Sequence, residues 1–210
     1  MAEKTLYFIR HGQSEANLAG AHAGWAQVSL TAKGYEDARL AGERIRRAGL
    51  TFDKVYTSDL IRAVQTKETA LPELPSEPSP LIREVNVGTL AGRLVANCKK
   101  EYGAPYLRAK QDMDFTAWGG ENYSAFCDRI RQFFADILNG DGDRIAAFCH
   151  GGMIHASLDL LIGGELSDPS LPSPESNRID KSAFSCDNCG ITVFAFRGGK
   201  WRLGMWNWGK

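Results

Sequence analysis

Two short stretches hold residue types that can do chemistry, Arg10-His11-Gly12 and His150-Gly151-Gly152. Each follows an apolar run: Leu6-Tyr7-Phe8-Ile9 before the first, Ile145-Ala146-Ala147-Phe148-Cys149 before the second. An imidazole is a nucleophile and proton carrier near neutral pH, and a guanidinium grips planar or tetrahedral oxyanions. In an open α/β sheet, ligands bind outside the carboxyl ends of the strands. Two strands that each deliver a histidine to that edge read as two halves of one site. A histidine and an arginine at a strand end are costly to bury without an anion, so the chemistry points to phosphate.

The elements that must position these residues are legible in the spacing. Thr5 to Arg10 reads as a buried strand, and a Gly/Ala-rich loop follows. Thr31 offers a helix cap, with Tyr35, Ala38, Ala41, Ile45 and Ala48 on one face and Gly49 as the stop. A strand is expected from Phe52 to Tyr56. Ser58 then caps a helix to about Ala70 that carries Arg62 in its first turns. Leu71 to Leu81 contains four prolines and is expected to be extended and exposed.

Further helices are expected over Leu94 to Tyr102, Glu121 to Leu138 and Gly152 to Ile162. The second repeats Tyr123, Phe126, Ile130, Phe133, Phe134 and Ile137 at helical spacing. Residues 166–183 are polar, with three prolines, and read as a long surface loop or lid. Ile191 to Arg197 and Lys200 to Trp208, joined by Gly198-Gly199, read as a β-hairpin. Strands alternating with helices and closed by one hairpin imply an α/β fold, a three-layer α/β/α sandwich on an open, mostly parallel sheet.

The bulk of the chain sets bounds on partners. Its 210 residues suffice for one substantial α/β domain and are few for two. A formal net charge of zero gives no argument for nucleic acid or an anionic membrane as partner. No run approaches the ~18 apolar residues of a membrane span. The first residues pass into a strand without the apolar core of a signal peptide, so the expected compartment is the cytoplasm. The five cysteines form no regular framework. Cys98, Cys127 and Cys149 read as buried thiols, and the isolated pair Cys186/Cys189 is weak support for zinc or redox chemistry. His22 and His155 read as ordinary structural histidines, and the five tryptophans as core or rim.

The sequence around Arg10-His11-Gly12 continues as Gln13-Ser14-Glu15-Ala16-Asn17. Further on stand Gly24-Trp25, Leu30-Thr31-Ala32-Lys33-Gly34, and Ser58-Asp59-Leu60-Ile61-Arg62-Ala63-Val64-Gln65-Thr66. Leu81 to Gly92, Gly119-Gly120-Glu121 and Cys149-His150-Gly151-Gly152 complete the series. In this order, over nearly the whole chain, these blocks resemble the histidine phosphatase superfamily, which includes the cofactor-dependent phosphoglycerate mutases and many small phosphatases. The resemblance implies a phosphoglycerate mutase-like fold and a single domain over residues 1–210, with 71–81 and 166–183 as insertions.

It also implies roles. His11 is the nucleophile that forms a phosphohistidine, and Arg10 and Arg62 clamp the non-bridging phosphoryl oxygens. His150 and the Gly151 amide add donors, and Ser14 and Asn17 fit accessory phosphate-binding positions. Glu84 is the general acid that protonates the leaving oxygen. Guanidinium groups supply the charge that other phosphoryl-transfer enzymes draw from Mg²⁺, so neither metal nor cofactor is expected. The expected partner is a small phosphate ester, and a homodimer is compatible with the sequence.

Three functions compete. The first is hydrolysis of a phosphomonoester. The second is a phosphoglycerate mutase, which returns the phosphoryl group to substrate instead of water. Mutases of this family follow the acid with an Arg-His-Tyr-Gly element and carry an Arg-Arg pair further on. Here Val85-Asn86-Val87-Gly88 follows Glu84, and no Arg-Arg pair occurs between Gly92 and Gly120, which favours hydrolysis. The family also often ends this block with an aromatic residue and a glutamate before the glycine, where this chain has Leu90-Ala91-Gly92. The third function is a non-catalytic phosphate-binding module, which intact Arg10, His11, Arg62, Glu84 and His150 argue against. Lys99, Lys100, Arg108 and Lys110 lie where they could cap the site, and Tyr102, Tyr106 and Trp118 could stack on a substrate ring or simply pack.

Overall fold

In the computed structural model, which describes residues 3–164, 166 and 184–209, six strands form one sheet. The strands are β1 (Lys4–Arg10), β2 (Lys54–Thr57), β3 (Glu77–Pro78), β4 (Arg144–Cys149), β5 (Ile191–Arg197) and β6 (Lys200–Trp208), in the order β3-β2-β4-β1-β5-β6. β3, β2, β4 and β1 are parallel, and the β5–β6 hairpin closes the sheet antiparallel to β1. The expected α/β architecture is present.

Alternation along β1 shows why both faces of the sheet need cover. Leu6 and Phe8 enter one core with Phe126, Phe133 and Phe134 of α5 (Tyr123–Asn139) and Met153 and Ile154 of α6 (Gly151–Ile162). Tyr7 and Ile9 pack on the opposite face with Ile45 of α2 (Ala32–Arg47) and Ala70 of α3 (Ile61–Ala70). A strand buried on both faces must be apolar where it is covered, and β1 is so from Leu6 to Ile9. Phe8 anchors the first core through edge-to-face contacts with Phe134 at 5.8 Å and Phe194 at 5.6 Å.

Several elements differ from the expectation. The loop after His11 contains a short helix, α1 (Glu15–Ala19), closed by a reciprocal cap between Ser14 and Asn17. Ser58 does not cap α3; that helix starts at Ile61 after Leu60, and the Ser58 hydroxyl is turned to His150. On α2, Tyr35 and Ala48 are exposed, while Gly34 and Gly42 join Ala38, Ala41 and Ile45 on the buried side. The proline-rich stretch is not simply exposed. Leu71 is buried, and Glu77–Pro78 adds to the sheet edge beside β2 before a 3₁₀ turn at Pro80–Ile82. Proline is tolerated there because an edge strand leaves N–H positions unpaired.

The helix expected to end near Tyr102 runs on as α4 (Val95–Asp112), across a break at Gly103 with φ 58° and ψ −131°. Glycine reaches that backbone region without Cβ strain, and Pro105 lacks the N–H a continuous helix would use. Two helical segments therefore follow one another where the sequence signals a stop. The loop expected at 166–183 lies, apart from Leu166, outside the described residues. Among the described residues no helix is long and apolar enough to cross a membrane.

Candidate active site

Parallel pairing of β1 with β4 sets Arg10 opposite Cys149, so the residues that follow each strand emerge side by side. The His11 amide donates to Cys149 O at 2.9 Å, and the His11 and His150 ring centroids are 5.2 Å apart. His150 is the N-cap of α6, with Gly151 as its first helical residue. The positive end of that helix dipole therefore faces the same place.

The hydrogen bonds of His11 decide its tautomer. Nδ1 lies 2.7 Å from Gly12 O, and a carbonyl only accepts. The proton of the neutral ring is thus on Nδ1, and the lone pair is on Nε2. Burial, then the Arg62 and Arg10 guanidiniums, holds the His11 pKa well below 6.5. The His150 pKa is also well below 6.5, from burial first and then from Arg62, His11, Arg129 and Arg10. Both imidazoles are therefore neutral at physiological pH. A neutral imidazole with a free Nε2 is a nucleophile.

Arg62 is wholly buried, with Nη2 donating to Gly24 O at 2.8 Å and Nη1 to Ala26 O at 3.1 Å. Burial pulls its pKa down to about 10; Glu84 opposes that shift and Arg10 adds to it. The group stays charged at neutral pH. Arg10 Nη1 donates to Cys186 O. Arg10 Nε, Arg62 Nε and His150 Nδ1 are buried and have no hydrogen-bond partner among the described residues. Buried polar groups are nearly always paired, so three orphans in one site are suited to an anion with several acceptor oxygens.

Glu84 approaches from the segment after the 3₁₀ turn at Pro80–Ile82. Its Oε2 accepts the Gly152 amide at 3.1 Å, and its Oε1 accepts the Val85 amide at 3.0 Å. A Cβ on residue 152 would overlap Glu84 Oε1, so glycine is needed for this approach. Fold and chain direction thus bring Arg10, His11, Arg62, Glu84, His150 and Gly151 together. Ser14 and Asn17 stand differently. The Ser14 amide and hydroxyl are both engaged by Asn17 Oδ1 at 3.1 Å, which makes Ser14 a helix cap rather than a free donor. Asn17 is exposed, and its Oδ1 also accepts from Asn188.

Other residues singled out from sequence have partners of their own or face solvent. His22 Nε2 pairs with the buried Tyr106 hydroxyl at 2.7 Å. Tyr102 and Tyr106 pack edge-on against Trp118. The nitrogens of His155 face Gly151 O and Phe184 O, both at 2.8 Å. Lys99, Lys100, Arg108 and Lys110 are exposed on α4. Cys186 and Cys189 are both buried, and burial raises the Cys186 pKa to about 11. Their backbone serves the site instead: the Cys189 amide donates to Arg10 O at 3.0 Å.

Several supporting residues were missed from sequence. Thr66 Oγ1 accepts the Gly12 amide at 2.9 Å, Asn188 Nδ2 donates to His11 O at 2.8 Å, and Trp25 Nε1 donates to Glu84 O at 2.7 Å. Trp25 and Thr66 fall inside the quoted blocks, which was the available signal. Asn188 stands inside the Cys186/Cys189 pair, where only cysteine chemistry drew notice.

The carboxyl ends of β1 and β4 thus gather two histidines, two arginines and a carboxylate around one place. Residues 6–209 match the family described as the histidine phosphatase superfamily (branch 1), and the chain belongs to that superfamily. Among curated proteins it is 33% identical over 172 residues to a 2,3-bisphosphoglycerate-dependent phosphoglycerate mutase from Bradyrhizobium diazoefficiens, covering 77% of this chain and 82% of that one. Among solved structures it resembles an α-ribazole phosphatase from Shigella flexneri, with TM-score 0.79, 24% identity and coverage of 97% and 96%. A phosphoserine phosphatase from Entamoeba histolytica, in complex with phosphoserine, aligns with TM-score 0.74, 24% identity and coverage of 98% and 97%. At such identities the structural likenesses establish the fold.

Proposed function

We propose that the protein hydrolyses a small phosphomonoester through a phosphohistidine on His11 Nε2. The observation that carries this reading is the tautomer of His11: Nδ1 is tied to Gly12 O, and Nε2 is left as the attacking lone pair between two guanidiniums. In the first step Nε2 attacks phosphorus in line, and the bond to the ester oxygen breaks. Glu84 gives its proton to that oxygen as it leaves. Arg10, Arg62, His150 and the Gly151 amide hold the three equatorial oxygens. In the second step the Glu84 carboxylate takes a proton from water. The water oxygen attacks phosphorus, the P–N bond breaks, and inorganic phosphate leaves. Ser58 Oγ, 2.8 Å from His150 Nε2, supports a donor role for His150: if the hydroxyl donates there, the ring proton resides on Nδ1, the unpartnered atom.

Phosphoglycerate mutase activity is the second reading, favoured by the names of the curated relatives. Against it stands the segment after Glu84. Val85 and Val87 are buried, and Asn86 is engaged with Glu121 and Gly88, so this stretch offers no cation to a substrate carboxylate. Phosphate release from a panel of phosphomonoesters tests the choice, run beside isomerisation of 3-phosphoglycerate primed with the bisphosphate. Isomerisation that outpaces every hydrolysis in the panel would overturn the hydrolase reading.

A further inference from the structure

Glu84 stands on irregular backbone between two 3₁₀ turns, Pro80–Ile82 and Gly88–Leu90. Misplacing a reacting group by 1 Å costs about 10²-fold in rate, so something must fix this segment. One side chain from α5 reaches it. Arg129 Nη1 donates to Leu81 O at 2.8 Å and Arg83 O at 2.7 Å, and Nη2 donates to Glu84 O at 2.8 Å. The remaining donors grip Glu121, Nη2 to Oε1 at 2.7 Å and Nε to Oε2 at 3.2 Å. All five guanidinium N–H groups are thus engaged.

Glu121 extends the same clamp to the far side of the acid. Its Oε1 accepts the Asn86 amide at 2.7 Å, and its own amide donates to Asn86 O at 2.9 Å. Both side chains of the ion pair are only 13% exposed, and the guanidinium lies over the Phe126 ring, 4.4 Å from its centre. A shielded, multiply bonded pair of this kind holds geometry far better than a surface salt bridge. It bonds to the backbone on both sides of Glu84 and not to the Glu84 carboxylate, which is left to its partners Gly152 and Val85.

We propose that Arg129, locked by Glu121, is a positioning residue for Glu84: it sets where the acid stands, without touching the phosphate ester. The proposal rests on the reading of Glu84 as general acid. Lysine at this place keeps the charge but has three donors and no planar fork, so it cannot span three carbonyls and a carboxylate at once.

The test is single-turnover phosphorylation of His11 from nitrophenyl phosphate and from an alkyl phosphate such as glycerol phosphate. It compares wild type, Glu84→Gln, Arg129→Lys and the double variant. A nitrophenolate leaves without a proton, whereas an alkoxide needs one. Arg129→Lys is expected to lose on the order of 10²-fold on the alkyl ester and only a few-fold on the aryl ester. The double variant should be no slower than Glu84→Gln, because Arg129 acts through that residue. Equal losses on both esters, or losses that multiply in the double variant, would overturn the proposal. If Glu84→Gln itself shows no dependence on the leaving group, the acid assignment fails and the proposal fails with it. Glu121→Gln keeps the side-chain shape, provides the same comparison should Arg129→Lys not fold, and must show the alkyl-specific loss.

Discussion

Glu84 Oε2 accepts the backbone amide of Gly152, 3.1 Å away, two residues beyond His150. The carboxylate is thereby fastened to the first turn of the helix whose N-cap histidine belongs to the same site. Gly152→Ala should separate these roles. The added Cβ meets the far end of a flexible side chain, so the fold should survive while the acid is displaced. Turnover of alkyl phosphates should fall by about 10²-fold, with melting temperature nearly unchanged. Retained alkyl turnover would show that the Gly152 contact is not needed for protonation.

His11→Ala removes the proposed nucleophile but little of the core. Turnover should drop by on the order of 10⁴-fold or more, because no other group can form the covalent intermediate. With radiolabelled substrate, wild type should carry acid-labile label and the variant none. Label on the variant would place the attacking atom elsewhere.

In the proposed mechanism Arg62 stabilises the transferring group whatever leaves. Arg62→Ala should therefore slow aryl and alkyl phosphates alike, by about 10²–10³-fold. It also strips the Gly24 carbonyl of the Arg62 donor and leaves Ala26 O to the Val28 amide, which should cost about 1–3 kcal/mol of stability, read by urea denaturation. A loss confined to alkyl esters would make Arg62 part of the acid machinery instead.

If the arginines supply the positive charge as proposed, hydrolysis of nitrophenyl phosphate should proceed at the same rate with and without a chelator. A rate that collapses under chelation and returns with Mg²⁺ would contradict the arginine-clamp mechanism.

Stability should fall on acidification. Both site histidines are held neutral when folded, with pKa values well below 6.5. In the unfolded chain each returns to about 6.5 and binds a proton below that pH. Their contribution is flat above pH 6.5, and as pH falls it erodes by up to about 1.4 kcal/mol per pH unit for each histidine. Denaturation midpoints between pH 7.5 and 5 should show this slope, and His11→Ala should lessen it. An undiminished slope in that variant would mean that His11 is already protonated in the folded protein.

Much of the site was legible before any fold was known, because the chemistry needs particular residue types at element ends. Arg10-His11 and His150 each close an apolar run, and a strand buried on both faces carries such polar residues at or beyond its end. The same logic placed Arg62 near the start of a helix and Glu84 in a loop. Local spacing failed where a long-range partner decided the conformation. Ser58 looks like a helix cap from its neighbours, yet its hydroxyl goes to a histidine 92 residues away. Ser14 reads as a phosphate ligand from its motif, and the fold adds that its side chain closes a short helix.

Arg129 shows the limit most plainly. In the sequence it is one charged residue on an amphipathic helix, the usual mark of a solvated face. Its role arises because α5 packs beside the 3₁₀ turn at Pro80–Ile82 and carries the guanidinium to three backbone carbonyls. Backbone carbonyls have no residue type, so no pattern of letters can reveal which of them will need a donor. Sequence by itself determined the candidate reacting groups and the strands that deliver them; only the packing of one element on another decided what holds those groups in place.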